Sequence, residues 1–457
     1  MTALILGATC GCGGEPEGDG PTNLLFVVFD TTRADHLGCY GYEEHSTSPT
    51  LDRLAEEGLV LDRAYSASSL TPVSAGSFLT GTLPYRHGVR SLFVVGKQSL
   101  EGELPSLFGL LGEAGLETAA FVSAKPMGRQ YALDRGFDFY DDDWSTVREQ
   151  FGISRFADAP QRPGDATCDL ALEWLDDSGV RPFALMVHFF DAHDSSFVPP
   201  EDFLAEHLDF DFPRGLGRNP RSFPLEGIEE LQALYDAEIR FMDEQLARLL
   251  AKLEELGVRD RTLVCVLADH GECFGEHGYF THGWLSEHEL RVPIVLAGPG
   301  VPAGLRLAAR ARTVDLLPTV AELFGLDAPG GVDGESVLDL LAESGEGLER
   351  DVYAEVHHAP ADPRGREPAM HTLVVGPWKY VHRPSSGRHE LYHLVEDPEE
   401  LDNRVATEPD VAGRLLARMV TQGALGGEVS LEGLSEETLR ALRDLGYLGG
   451  GEDQAGD

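Results

Sequence analysis

The chain's 457 residues exceed what one simple hydrophobic core accommodates and suit two or three domains. Its 78 acidic against 36 basic residues leave a net charge of −42, a surface that repels phosphate backbones and anionic lipid, so no nucleic-acid partner is expected. The 42% hydrophobic and 25% charged content is globular, and no apolar run reaches the roughly 18–20 residues that span a bilayer, so no transmembrane segment is expected.

In chain order, residues 1–21 hold a short apolar stretch, two cysteines and a Gly/Pro/Glu linker, similar to the end of a lipoprotein signal without its basic start. The expectation is export, to the periplasm, to a lipid anchor or outside the cell, against a disordered cytoplasmic leader. The six cysteines (Cys10, Cys12, Cys39, Cys168, Cys265, Cys273) form neither a disulfide framework nor a zinc-ribbon spacing. NLLFVVFD (Asn23–Asp30), FALMVHFFDAHD (Phe183–Asp194) and TLVCVLADH (Thr262–His270) are apolar runs without alternation. Such runs predict parallel strands buried on both faces. SPTLDRLAEEGL and LPSLFGLLGEAG read as helices between strands. From Ile228 a long helix keeps Leu231, Tyr235, Ile239, Met242, Leu246, Leu249, Leu253 and Leu256 on one core-facing side until Gly257 stops it.

This alternation predicts a doubly wound, mostly parallel α/β sheet flanked by helices over residues 22–345. VYAEVHHA, HTLVVGPWKYVH and HELYHLVEDPEELDN, then helices to Tyr447, predict a smaller α+β subdomain over 346–448, and 449–457 reads as a frayed tail.

Ligands of open α/β sheets sit beyond the carboxyl ends of the strands. There the sequence places Asp30, Asp191, His193, Asp269 and His270. Asp30, Asp269 and His270 supply two carboxylates and an imidazole, a donor set for one divalent ion that does not choose among Mn, Zn, Ca and Mg. SSLTPVSAGSFLTG (Ser68–Gly81) packs hydroxyls around Pro72 at a helix start, where the dipole favours an anion. A hydroxyl there, facing a metal, becomes a nucleophile candidate; the pattern alone does not say which one.

FDTTRADHLGCYGY, SSLTPVSAGSFLTGTLPYRHGV and LADHGECFGEHGYFTHGWLSEHELRVP resemble the three signature blocks of the sulfatase family, within the alkaline phosphatase superfamily. DAHDSSFVPP, AGPGVPAG with TVDLLPTVAELFG, and HELYHLVEDPEELDN extend the resemblance over roughly residues 22–447. It implies a large α/β domain holding a metal, a smaller C-terminal domain, and cleavage or transfer of sulfate or phosphate esters. Counted back from Leu79-Thr80-Gly81, the family's nucleophile column falls on Thr71. In true sulfatases that column is a cysteine, or sometimes a serine, matured to formylglycine within C/S-x-P-x-R. TPVSA has threonine first, proline one place early and alanine for the arginine, so no formylglycine is expected. Ser68, Ser69 and Ser74 are weaker candidates if the alignment slips.

Other departures accompany this one. Thr31 follows Asp30 where the family pairs two acids, His282 stands where a lysine is expected, and Lys125 falls near a missing histidine column. Together these resemble the threonine branch of the superfamily, which includes phosphoethanolamine and phosphoglycerol transferases. There one metal is held by a carboxylate, the threonine and an Asp–His pair, matched here by Asp30, Thr71, Asp269 and His270. By position, His193 and His282 would contact the anionic group or leaving oxygen, with His188, His277 and Lys125 as weaker substrate-binding candidates. Arg33 and Asp35 read as scaffold, and Cys273 as a packed neighbour.

The implied function is a metal-dependent hydrolase or transferase that cleaves phosphate- or sulfate-type esters through a threonine nucleophile. Its substrate would be an anionic ester of a glycan, lipid head group or small molecule. The alternatives are a sulfuric ester hydrolase of arylsulfatase or glycan-sulfatase type, and a binding relative that keeps the metal pocket without turnover.

Overall fold

A computed structural model of the chain describes residues 20–92, 99–144, 161–178, 181–193, 203, 227–342, 349–358 and 365–425. The leader up to residue 19, the helices read beyond residue 425 and the 449–457 tail lie outside these residues.

The three apolar runs become β1 (Asn23–Phe29), β5 (Phe183–Phe189) and β6 (Thr262–Leu267). They lie side by side and parallel, with β1 between the other two; Val28 faces His188 on one side and Leu267 on the other. Outward from β5 run β3 (Glu117–Val122) and β4 (Phe139–Asp141), both parallel to it. Outward from β6 come β10 (Ile294–Ala297), β2 (Leu59–Tyr65) and β11 (Leu305–Arg312). β10 pairs antiparallel with both neighbours, and the short β9 (Arg291–Val292) antiparallel with β2, so the sheet is mostly but not wholly parallel; β7 (Cys273–Phe274) and β8 (Phe280–Thr281) form a separate two-stranded pair.

β1 shows why these runs lack alternation. Leu24, Phe26 and Val28 join a core with helices Thr71–Thr80, Leu107–Glu113 and Leu316–Leu323. Leu25, Val27 and Phe29 join another with helices Pro49–Glu57, Gly164–Ser178 and Ile228–Glu255. Each such side chain contributes about 1.5–3 kcal/mol on burial, so an apolar residue is favoured at every position. Helix Ile228–Glu255 buries Leu231 through Leu253 as the spacing predicts, and Gly257 behind it takes a left-handed φ of 65°. It also carries a buried carboxylate, Asp243, that accepts from Thr50 N (2.9 Å) and Leu51 N (2.8 Å). That closes two free donors at the start of helix Pro49–Glu57.

The C-terminal part is a four-stranded antiparallel sheet, β12 (Val352–His357), β13 (Ala369–Val375), β14 (Trp378–Arg383) and β15 (Arg388–His393). Tyr353, Leu373, Tyr380 and Leu391 pack one of its faces on helix Pro409–Thr421.

At the end of β5, Asp191 Oδ1 accepts from Gly164 N (3.0 Å) at the start of helix Gly164–Ser178, and burial pushes the carboxyl up to about 7 from 3.8. A folded-state value above the unfolded one means that the folded chain holds the extra proton. Asp191 therefore contributes stability below about pH 4 that is lost as pH rises through 7. Asp191→Asn, which mimics the protonated form, should raise Tm at pH 8 and leave it unchanged at pH 4. Equal shifts at both values in a thermal-denaturation series would contradict the assignment.

Candidate active site

Parallel alignment of β1, β5 and β6 brings three strand ends to one edge of the sheet. Asp30 follows β1, its N–H donating to Phe189 O at 3.0 Å. Asp269 and His270 follow β6 by two and three residues. Asp30, Asp269 and His270 are all fully buried and bring one donor atom each within 4.8 Å of one another.

The carboxylates are held from behind. Thr31 Oγ1 donates to Asp30 Oδ1 (2.5 Å), and His188 Nε2 meets Asp30 Oδ2 at 2.8 Å. The Ser123 amide donates to His188 Nδ1 (3.3 Å), so the ring's proton sits on Nε2 and points at Asp30. Thr31, in the left-handed region with φ 58°, turns its amide onto Asp269 Oδ1 (2.9 Å), which also accepts from His270 N (2.9 Å). That conformation is secured by Tyr235, whose hydroxyl donates to Thr31 O (2.7 Å) and accepts from Arg33 N (2.7 Å).

Burial raises the Asp30 carboxyl, but the His188 hydrogen bond and the surrounding imidazoles outweigh it and leave it below its ordinary value. Asp269 goes the other way, raised by burial and then by the charge on Asp30. Asp269 Oδ2 is buried with no hydrogen-bond partner, 3.4 Å from His270 Nε2. An orphaned carboxylate oxygen beside an imidazole nitrogen and a second carboxylate fits a divalent cation. The residues present are those such an ion would use.

The Ser68–Gly81 segment meets this cluster from the other side. Helix Thr71–Thr80 starts at Thr71, with Pro72 in its first turn, where no donor is lost. Thr71 Oγ1 lies 3.3 Å from His270 Nε2. His270 Nδ1 is 2.9 Å from Gly271 O, so Nδ1 carries the hydrogen and Nε2 offers its lone pair towards Thr71. Ser74 is otherwise engaged: its hydroxyl bonds Asp269 O (2.8 Å) and Ser66 Oγ (2.9 Å). Ser68 Oγ and Ser69 Oγ are buried without hydrogen-bond partners among the described residues.

His282 Nδ1 is 2.8 Å from Ser69 O, which places its hydrogen there and turns Nε2 towards His193 Nε2 at 3.1 Å. Its ring lies 4.5 Å from that of His270, and the His193 ring stacks on Phe190 at 4.1 Å. The His282 loop is held by Glu289, fully buried, whose carboxylate accepts from Gly283 N (2.5 Å), Trp284 N (2.8 Å) and Ser286 N (2.8 Å). Arg366 donates to His282 O (2.8 Å) and His358 to Gly283 O (2.9 Å). Gly283 takes a φ of 106°, a conformation that other residues rarely adopt, so the loop favours glycine there.

Asp30, Thr71, Asp269, His270, His193 and His282 thus converge. The expectation for His188 requires correction. It is fully buried with both nitrogens engaged, so it orients Asp30 and does not face a substrate. His277 is corrected as well: its exposed ring lies against Tyr279 (5.8 Å), and none of its described contacts reaches the cluster. Lys125 is exposed on a turn at residues 125–127 that packs near helix Thr71–Thr80. Arg33 bridges Asp35 and Glu276, both at 2.6 Å, and Cys273 Sγ rests 3.2 Å from Ser286 Oγ. Tyr235, Glu289 and Arg366 were not singled out from sequence. Tyr235 fitted the apolar stripe, and nothing local marks the other two.

A family model described as Sulfatase matches residues 22–326, and one described as N-sulphoglucosamine sulphohydrolase, C-terminal, matches 275–422. The chain belongs to the sulfatase family. Among relatives of this sulfatase-family chain, the N-acetylglucosamine-6-O-sulfatase of Bacteroides thetaiotaomicron is 22% identical, covering 88% of this chain and 86% of its own. The ulvan-active sulfatase of Formosa agariphila is 26% identical, covering 84% and 78%. The phosphonate monoester hydrolase structure from Agrobacterium radiobacter shares the fold with a TM-score of 0.71, 20% identity, and coverage of 88% and 95%.

Equilibrium dialysis against Mn²⁺ or Zn²⁺ followed by elemental analysis tests the ligand set. Asp269→Asn should abolish retention. His188→Ala, which removes only the partner of Asp30, should weaken it about 10–100-fold. Unchanged metal content in the Asp269 variant would reject the site.

Proposed function

We propose that this chain is a metal-dependent hydrolase or transferase of anionic phosphate- or sulfate-type esters, with Thr71 as nucleophile. The observation that carries the reading is Thr71 Oγ1 at a helix start, 3.3 Å from His270 Nε2 and beside two buried carboxylates. A divalent ion held by Asp30, Thr71, Asp269 and His270 would supply Lewis acidity to the threonine hydroxyl and to an ester oxygen.

The chain's own residues account for the rest. As Thr71 Oγ1 bonds to phosphorus or sulfur and the bridging ester oxygen departs, the Thr71 proton passes to solvent. The departing oxygen takes the proton held between His193 Nε2 and His282 Nε2. The Ser69 carbonyl keeps His282 in the tautomer this requires. Water or an acceptor alcohol then attacks the threonine ester and gives its proton to the imidazole pair, while the departing Thr71 oxygen takes a proton back from solvent. The start of helix Thr71–Thr80 offers its free N–H groups to the anion's oxygens.

A formylglycine ester can expel its anion by elimination, whereas a threonine ester needs a second displacement at the central atom. Phosphorus supports that sequence well, which favours phosphate-type esters. A second reading, a sulfuric ester hydrolase acting on sulfated glycans, draws on the named activities of the Bacteroides and Formosa relatives. Export to the periplasm, cell surface or medium accords with either.

A matrix of Mn²⁺, Zn²⁺ and Ca²⁺ against nitrophenyl phosphate, a phosphodiester and nitrophenyl sulfate separates them. Thr71→Ala should lower kcat about 10³-fold or more with whichever substrate turns over. Near-full activity would transfer the role to metal-bound water or a neighbouring serine. His282→Ala should cost about 10²–10⁴-fold in kcat and remove one limb of the pH–rate profile; an unchanged profile would exclude the pair as proton carrier. Coexpression with a formylglycine-generating enzyme should change neither the activity nor the mass of the peptide containing Thr71.

A further inference from the structure

One row of facing residues crosses the C-terminal sheet from edge to edge: Glu355 on β12, His371 on β13, His382 on β14 and His389 on β15. His357, two residues beyond Glu355 on β12 and so on the same face, sets its ring 5.5 Å from that of His371 at 86°. We propose that Glu355, His357 and His371 form a second metal site, suited to a divalent transition ion such as Zn²⁺ and separate from the Asp30–Asp269–His270 centre.

The three residues bring one donor atom each within 4.8 Å of one another. Glu355 Oε1 lies 3.6 Å from His357 Nε2, too long for a hydrogen bond. That separation approaches the roughly 3.3 Å edge between two ligands at about 2.0–2.1 Å from a tetrahedral ion.

Tyr353 sets the tautomer. Its hydroxyl donates to Glu355 Oε2 (2.6 Å), so its oxygen accepts from His371 Nδ1 at 2.9 Å. The hydrogen of His371 therefore sits on Nδ1, and Nε2 keeps its lone pair. That nitrogen is buried and has no hydrogen-bond partner among the described residues. A metal-binding histidine generally gives its other nitrogen to such a partner.

Arg90 defines the kind of ion. Its guanidinium pairs with both Glu355 oxygens, through Nε and through an amino group at 2.8 Å, and offsets the carboxylate charge. Two imidazoles and a compensated carboxylate suit an ion that binds nitrogen well, not Ca²⁺ or Mg²⁺, which need several anionic oxygens. The partly exposed ring of His357 provides the route in. Because His357 also pairs with Ser91, an occupied site would tie β12 and β13 to the segment that follows the nucleophile helix.

The test uses the full chain carrying Asp269→Asn and His270→Ala, which empties the first centre, with Zn²⁺ as probe. After dialysis, elemental analysis should find a single equivalent of Zn²⁺. Adding His357→Ala and His371→Ala should remove it, and Co²⁺ in its place should give a visible absorption band that the added changes abolish. If the buried His371 change prevents folding, His357→Ala alone should weaken binding at least about tenfold. No zinc in the first variant, or equal zinc in folded protein lacking His357, overturns the proposal.

Discussion

Two buried carboxylates at the ends of adjacent parallel strands constrain everything else in the catalytic half. Asp30 and Asp269 are both removed from water and repel each other, a combination that proteins tolerate only with compensation. Each neighbouring group answers that problem. His188 and Thr31 stabilise charge on Asp30, backbone amides serve one oxygen of Asp269, and its other oxygen is left for a cation. Thr31 in place of a second acid removes one negative charge and adds a donor, which lowers the charge that a bound ion must balance.

Thr71 and the His193–His282 pair are positioned against this centre by backbone as much as by side chains. Thr71 sits where the helix begins, and the Ser69 carbonyl two residues earlier fixes His282. The imidazole pair is thereby referenced to the same short peptide that carries the Thr71 hydroxyl. Movement of one displaces the other.

Much of this was legible in the residues. NLLFVVF, FALMVHF and TLVCVL are apolar at every position because β1, β5 and β6 are covered on both faces, and strand ends in parallel sheets are where sites form. Asp30, Asp269 and His270 were readable on those grounds. Thr71 was not: five hydroxyls lie between Ser68 and Ser77, and only the family pattern singled one out. The reversed direction of β10 was hidden too, since IVLA has no feature that distinguishes antiparallel from parallel pairing. Tyr235 fulfilled its helical spacing so well that its hydroxyl, which holds the Thr31–Arg33 turn, went unnoticed. His188 read as a weaker substrate-binding candidate. In a strand, however, a position covered by both neighbours points a histidine into the sheet edge behind Asp30.

The bracing of the His282 loop by Arg366 and His358 carries a consequence for descent. The C-terminal family match opens at residue 275, inside the loop of the first domain and well before β12. Recombination at the visible seam between the two sheets would join a loop from one parent to struts from another, and Gly283 leaves no slack for mismatch. Selection would therefore keep the loop and the C-terminal sheet together as one heritable block, although the eye divides the molecule elsewhere.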